Sequence, residues 1–117
     1  MYEEHFFLGC KILYNTKTDA YYLPDFDKFA NAKRYAQGLE HRQMSNYFHN
    51  KENAQYIQLV SETTGKPYNE LIIRTGTGRT GGTWVHKLIL IDIAMRFDPC
   101  YKLDILTIYN PVNMENE

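Results

Sequence analysis

The chain has 117 residues, 44% of them apolar, and a formal net charge of −1. That is the size of one domain with a core of its own, without the need for stapling disulfides or metals. Two cysteines outside any C-x-x-C and four scattered histidines offer no zinc spacing. No run approaches the length of a membrane span, and the acidic N-terminus MYEEHFFLGC is unlike a signal peptide, so a soluble, intracellular protein is expected.

The charge is unevenly spread. Residues 1–27 hold two bases against five acids, residues 28–102 eleven against six, and residues 103–117 none against three. A basic middle between acidic ends suits a polyanion partner, although the same excess also describes an ordinary solvated surface.

In chain order, FFLGCKILY (6–14) reads as a strand broken at Gly9, and AYYL (20–23) as its return across the polar turn NTKTD, which makes a β-hairpin. Pro24 closes the strand. Asp25 then stands at an N-cap position, and DFDKFANAKRYA predicts a helix with Phe26, Phe29 and Ala30 inward. A connector, GLEHRQM, follows. Ser45 is a candidate cap for a short helix, NYFHN, and Asn53 for a longer one, AQYIQLVSETT, which stops at Gly65. Tyr56, Ile57 and Val60, with Leu59 beside them, form its apolar face, while Gln55, Gln58, Glu62 and Thr63 point elsewhere. Two helices separated by about three residues have the layout of a helix-turn-helix, or of a plain αα-corner.

NELIIR (69–74) and TWV (83–85) read as strands. KLILIDIAMRF from Lys87 is a helix apolar nearly all round, ended by Asp98-Pro99. CYKLDILTIY is a last helix with Leu103, Leu106 and either Ile105 or Tyr109 inward, ahead of a polar tail at 111–117.

Between the two strands, Gly76, Gly78 and Gly81 satisfy G-x-G-x-x-G. A dinucleotide site needs a helix directly after these glycines and a later parallel strand, and neither is present. The lysine of a phosphate-binding P-loop is absent too. What remains is a hairpin with a basic, hydroxyl-rich tip. Arg74, Thr77, Arg79 and Thr80, with glycine-spaced backbone N–H groups, form a phosphate-contact set. After a helix-turn-helix, such a hairpin is a wing.

GGTWVHKLILIDIAMRFDP (81–99) resembles the signature of the KilA-N domain of bacteriophages and large DNA viruses, in Gly82, Thr83, Trp84, Val85 and His86 directly and in Ile93-Ala94 and Pro99 by position. YYLPDFDKFANAK and SNYFHNKENAQYIQLVSETTG are similar to that family's strand-to-helix start and helix pair, so the likeness spans about residues 20–109. The G-T-W-V run is also similar to the DNA-binding domain of fungal APSES cell-cycle transcription factors. Lys87 stands where the family has proline.

The resemblance implies one α+β domain over residues 1–110, winged helix-turn-helix-like, with β-hairpins packed on a helical core. It implies a viral or phage regulatory protein that contacts double-stranded DNA, without catalysis or cofactor. Asn53, Gln55 and Gln58 would sit on the presented helix, where amides can read adenine. Lys51 and Arg42 would approach phosphates, and Arg74, Thr77, Arg79 and Thr80 would lie on the wing, near Lys87. Trp84 and Val85 read as core. His86 either caps the following helix and holds the wing base, or touches phosphate. Two alternatives stay open: an antirepressor-like module that binds a host or phage repressor protein, and a homodimer that reads two half-sites. An enzyme is not expected, because no carboxylate cluster or nucleophile–base pair is assignable.

Overall fold

The computed structural model describes residues 1–76, 78 and 81–109. The chain runs β1 (Tyr2–Phe7), β2 (Cys10–Asn15), β3 (Ala20–Tyr22), α1 (Leu23–Ala36), a 3₁₀ turn (Met44–His49), α2 (Lys51–Thr64), α3 (Tyr68–Leu71), β4 (Ile72–Thr75), β5 (Gly82–Val85), α4 (Lys87–Phe97) and α5 (Pro99–Tyr109). The strands form one sheet in the order β1-β2-β3-β5-β4, and every neighbouring pair is antiparallel. The fold is therefore α+β.

Gly9 does more than interrupt a strand. With Leu8 it forms a two-residue hairpin turn in which both residues have positive φ (51° and 84°), and β1 runs back as far as Tyr2. Leu8 tolerates this backbone because its side chain packs against the core. β2 then turns into β3 as the sequence predicts.

The core lies between one face of the sheet and the helices. Ile12, Ile72 and Val85 supply the sheet side. Phe26 and Ala30 of α1 and Ile89, Leu90 and Ile93 of α4 supply the helical side. Phe26 makes edge contacts with Phe7 and Tyr101, at ring-centroid distances of 5.3 Å each. Trp84 is buried on the opposite face from its neighbour Val85, since successive strand residues point opposite ways. Tyr22 and Tyr2 cover it, with ring centroids 4.8 and 5.7 Å away.

Several local expectations are corrected. Asp25 is not an N-cap. The helix already starts at Leu23, Pro24 sits in its first turn where no N–H is needed, and the Asp25 carboxylate accepts the Leu13 N–H at 2.9 Å, which ties α1 to β2. Ser45 caps nothing, because the segment it was to start is a 3₁₀ turn entered from Gln43. Asn69 to Leu71 form a helical turn after Pro67 rather than a strand, so β4 begins at Ile72. In α5, Leu103 and Leu106 face outward and Tyr101 and Ile105 are buried.

Gly82 is required by its backbone and by its surroundings. Its φ is 135°, and a Cβ there would stand 2.9 Å from Pro24 Cγ. Gly82→Ala is expected to destabilise the domain by about 1–3 kcal/mol, combining left-handed strain with the clash against α1. A urea titration of both proteins measures it, and a difference below ~0.5 kcal/mol would show that the β5–α1 junction yields freely.

Candidate nucleic-acid interface

α2 is built as two parallel rows. Asn53, Ile57 and Val60 form the buried row, at spacings of four and three. Lys51, Gln55 and Gln58 repeat that spacing about half a turn away, and all three are exposed. Gln58 Nε2 donates to Glu62 Oε2 at 3.1 Å, and Leu59 lies open beside it. The cap is Asn50, not Asn53. Its side-chain oxygen accepts from the N–H groups of Glu52 and Asn53, and only this one residue separates the 3₁₀ turn from α2. Gly65, at φ 74°, ends the helix as its position predicts.

Asn53 thus leaves the proposed reading face. It is 5% exposed, and its Nδ2 donates to the Tyr47 carbonyl at 2.8 Å.

The β4–β5 hairpin is joined to the same region. Arg74 is exposed, and its guanidinium lies over the Phe48 ring, 5.3 Å from the centroid, so the hairpin rests on the turn that leads into α2. Tyr22 donates its hydroxyl to the Gly81 carbonyl at 2.7 Å, which holds the returning strand. Thr77, Arg79 and Thr80 lie outside the described residues.

Arg42 stands apart from Arg74. Its Nη1 donates to the Phe97 carbonyl at 2.6 Å and its guanidinium covers the Phe97 ring, at the C-terminal end of α4. Asn31 clamps the backbone of Arg42 on both sides: Oδ1 accepts its N–H and Nδ2 donates to its carbonyl. An asparagine inside a helix is the sequence signal for this clamp, and it was not among the predicted site residues. Lys87 is exposed but lines a cleft with His5, Tyr21 and Ile105, in company other than that of Arg74.

His86 is the N-cap of α4. Its Nδ1 accepts the Leu88 N–H at 3.1 Å, its backbone N–H holds Leu71, and Nε2 faces Asp19 at 3.7 Å. Burial pushes its pKa below the usual histidine value, against the pull of the Asp19 carboxylate. Asp19 is itself lowered: hydrogen bonds from Tyr14 and Lys66 outweigh the cost of its burial. A lowered folded-state pKa makes the neutral form the stabilising one. The contribution of His86 is therefore full above the unfolded histidine pKa of about 6.5 and is lost as pH falls through the lower folded value. His86→Asn keeps a capping side chain without a titrating ring. It is expected to flatten the fall in melting temperature between pH 7 and 5, and an unchanged slope would assign that fall to other groups.

Behind α2, Tyr47 donates its hydroxyl to Asp92 Oδ2 at 2.6 Å, and Arg96 Nε shares the same oxygen at 3.0 Å. Burial, reinforced by this bond, pushes the Tyr47 hydroxyl well up, so it remains a donor. Neither cysteine is bonded to the other: Cys10 is buried and Cys100 exposed, both as free thiols. Among the described residues no group of three or more His, Cys, Asp or Glu could hold a metal ion, and no helix is long and apolar enough to cross a membrane.

The sequence model of the KilA-N domain matches residues 15–115, nearly the whole chain. The chain belongs to the KilA-N domain family. KilA-N is in general a DNA-binding family and not an enzyme family. No curated protein and no solved structure matches this KilA-N domain significantly. The matched span includes both hairpin strands β4 and β5 and all of α2.

Proposed function

We propose that this KilA-N domain is a viral or phage regulatory module that contacts duplex DNA through the outer row of α2 and through the β4–β5 hairpin, in a winged arrangement. The observation that carries the reading is the pairing of rows on α2. The inner row is buried, while Lys51, Gln55 and Gln58 are left to solvent in a line, next to a hairpin anchored by Arg74 on Phe48. A lysine can neutralise a phosphate, and amides can make paired hydrogen bonds to adenine. Thr77, Arg79 and Thr80 extend the hairpin's contact set by their sequence chemistry alone.

Fluorescence anisotropy with labelled duplexes of different sequence, at two salt concentrations, tests this. Arg74→Ala is expected to weaken binding alike for all sequences and to shallow the salt slope by about one. Gln58→Ala is expected to change the order of preference among sequences. Equal, sequence-independent losses from both would remove the reading role of α2.

A second reading, an antirepressor-like module for a host or phage repressor or a second copy of the chain, is favoured by one observation. Phe6 and Ile108, both exposed, line one cleft between β1 and α5 that none of the α2 residues lines. Absence of any duplex binding at low salt would favour this reading.

A further inference from the structure

The inner row of α2 carries an acceptor that nothing in the described protein satisfies. The donation of Asn53 Nδ2 to the Tyr47 carbonyl fixes the orientation of the amide, and Oδ1 is left buried with no hydrogen-bond partner among the described residues. Buried polar atoms in native proteins are nearly always paired, so this oxygen takes a donor from a water or from a ligand.

Asn53 lines a cleft of about 490 Å³ between the 41–43 connector, the start of α2 and the end of α4. That volume is in the range of small-molecule sites. Arg42, Arg96, Asn46 and Asn50 line it as well, with Ile93 and Phe97 as apolar wall. Arg42 spends Nη1 on Phe97, and Arg96 spends Nε on Asp92. Each guanidinium carries five N–H donors, so both keep several to give. Arg42 has no carboxylate within ion-pair distance among the described residues.

The cleft therefore asks for two things at once: an N–H directed at a buried oxygen, and an anion for Arg42, to which Arg96, already paired with Asp92, adds its remaining N–H donors. An ammonium group would satisfy Asn53 but be repelled by Arg42 and Arg96. Bare phosphate would satisfy the arginines and leave Asn53 empty. We propose that the cleft binds a nucleotide, with a base N–H donated to Asn53 Oδ1 and the phosphate held by Arg42 and Arg96. A free nucleotide and an unpaired nucleotide of a DNA strand present the same chemistry. The site does not depend on the duplex contact proposed above, and uses different residues.

Calorimetric titration of the whole protein at low salt tests it with three probes: 2′-deoxyadenosine 5′-monophosphate, the purine 2′-deoxyriboside 5′-monophosphate that lacks the amino group, and inorganic phosphate. The adenine nucleotide is expected to saturate one site. The analogue is expected to bind at least about tenfold more weakly, since it has no base N–H to give, and phosphate more weakly again. Arg42→Gln, checked for folding by circular dichroism, is expected to weaken the adenine nucleotide by about tenfold. A duplex with one bulged adenine is compared with its fully paired parent. A bulge preference lost in Arg42→Gln assigns the site to a DNA strand, and nucleotide binding without that preference assigns it to the free ligand. Equal affinity for the adenine nucleotide and the purine analogue without the amino group overturns the inference. So does the absence of both nucleotide binding and bulge preference. Failure of duplex binding alone would strike the α2 surface and leave this site standing.

Discussion

Trp84→Ala is expected to lower the free energy of unfolding by about 3–5 kcal/mol, a large share of the roughly 5–15 kcal/mol that holds a domain of this kind together. The side chain is 3% exposed and fills the space between Tyr22 and Tyr2 on the face of the sheet opposite Val85. Among the described residues its strand also links two parts of the sheet, because β5 pairs with β3 through Tyr22↔Trp84 and with β4 through Ile73↔Trp84. Removing the indole opens a cavity under both rings and loosens the base of the hairpin. Tyr35→Ala, at an aromatic residue 86% exposed, is the control and is expected to change stability by less than about 0.5 kcal/mol. Urea unfolding of the three proteins decides it. Equal midpoints for Trp84→Ala and the parent would mean that the aromatic cover over β5 is ornamental.

The second large effect concerns binding. Lys51→Glu together with Arg74→Glu is expected to weaken duplex binding by at least about 100-fold at low salt, with little change in the urea midpoint. Each substitution removes a cation from the proposed duplex-binding surface and places an anion there, and each lost phosphate contact would flatten the salt dependence by nearly one unit of slope. Lys51 makes no described contact that folding would miss, and the ring contact of Arg74 at an exposed site contributes only about 0.5–1 kcal/mol. Unchanged affinity in a folded double variant would take both residues out of the interface.

Where the sequence carried one dominant signal, it could be read directly. The run KLILIDIAMRF, closed by Asp98-Pro99, becomes α4 over Lys87–Phe97, and Gly65 ends α2. The glycine run joins two antiparallel strands, and no phosphate-binding helix follows it directly. His86 is the helix cap that its position before Lys87 offers. Elsewhere several residues were locally eligible for one role. Asn50 and Asn53 are both good caps, and what separates them is register: Asn53 continues the Ile57–Val60 row inward, so its side chain is buried and its Nδ2 is held by the Tyr47 carbonyl. α5 is apolar on all sides, and periodicity cannot choose between Leu103 and Ile105; packing against α4 does. Leu71 favours a strand, but Pro67 starts a helical turn that takes it in. The links that assemble the candidate site, Arg74 on Phe48, Asn31 on Arg42 and Arg42 on Phe97, join residues 11 to 55 positions apart and have no local pattern.

The most direct test of the duplex-binding account is an amide chemical-shift map of the ¹⁵N-labelled protein titrated with a duplex of about 20 base pairs. The largest perturbations are expected on Lys51, Gln55, Gln58 and the residues from Arg74 to Gly82, with β1 and α5 unmoved. Perturbations centred on Phe6 and Ile108, or none at all at low salt, would contradict it.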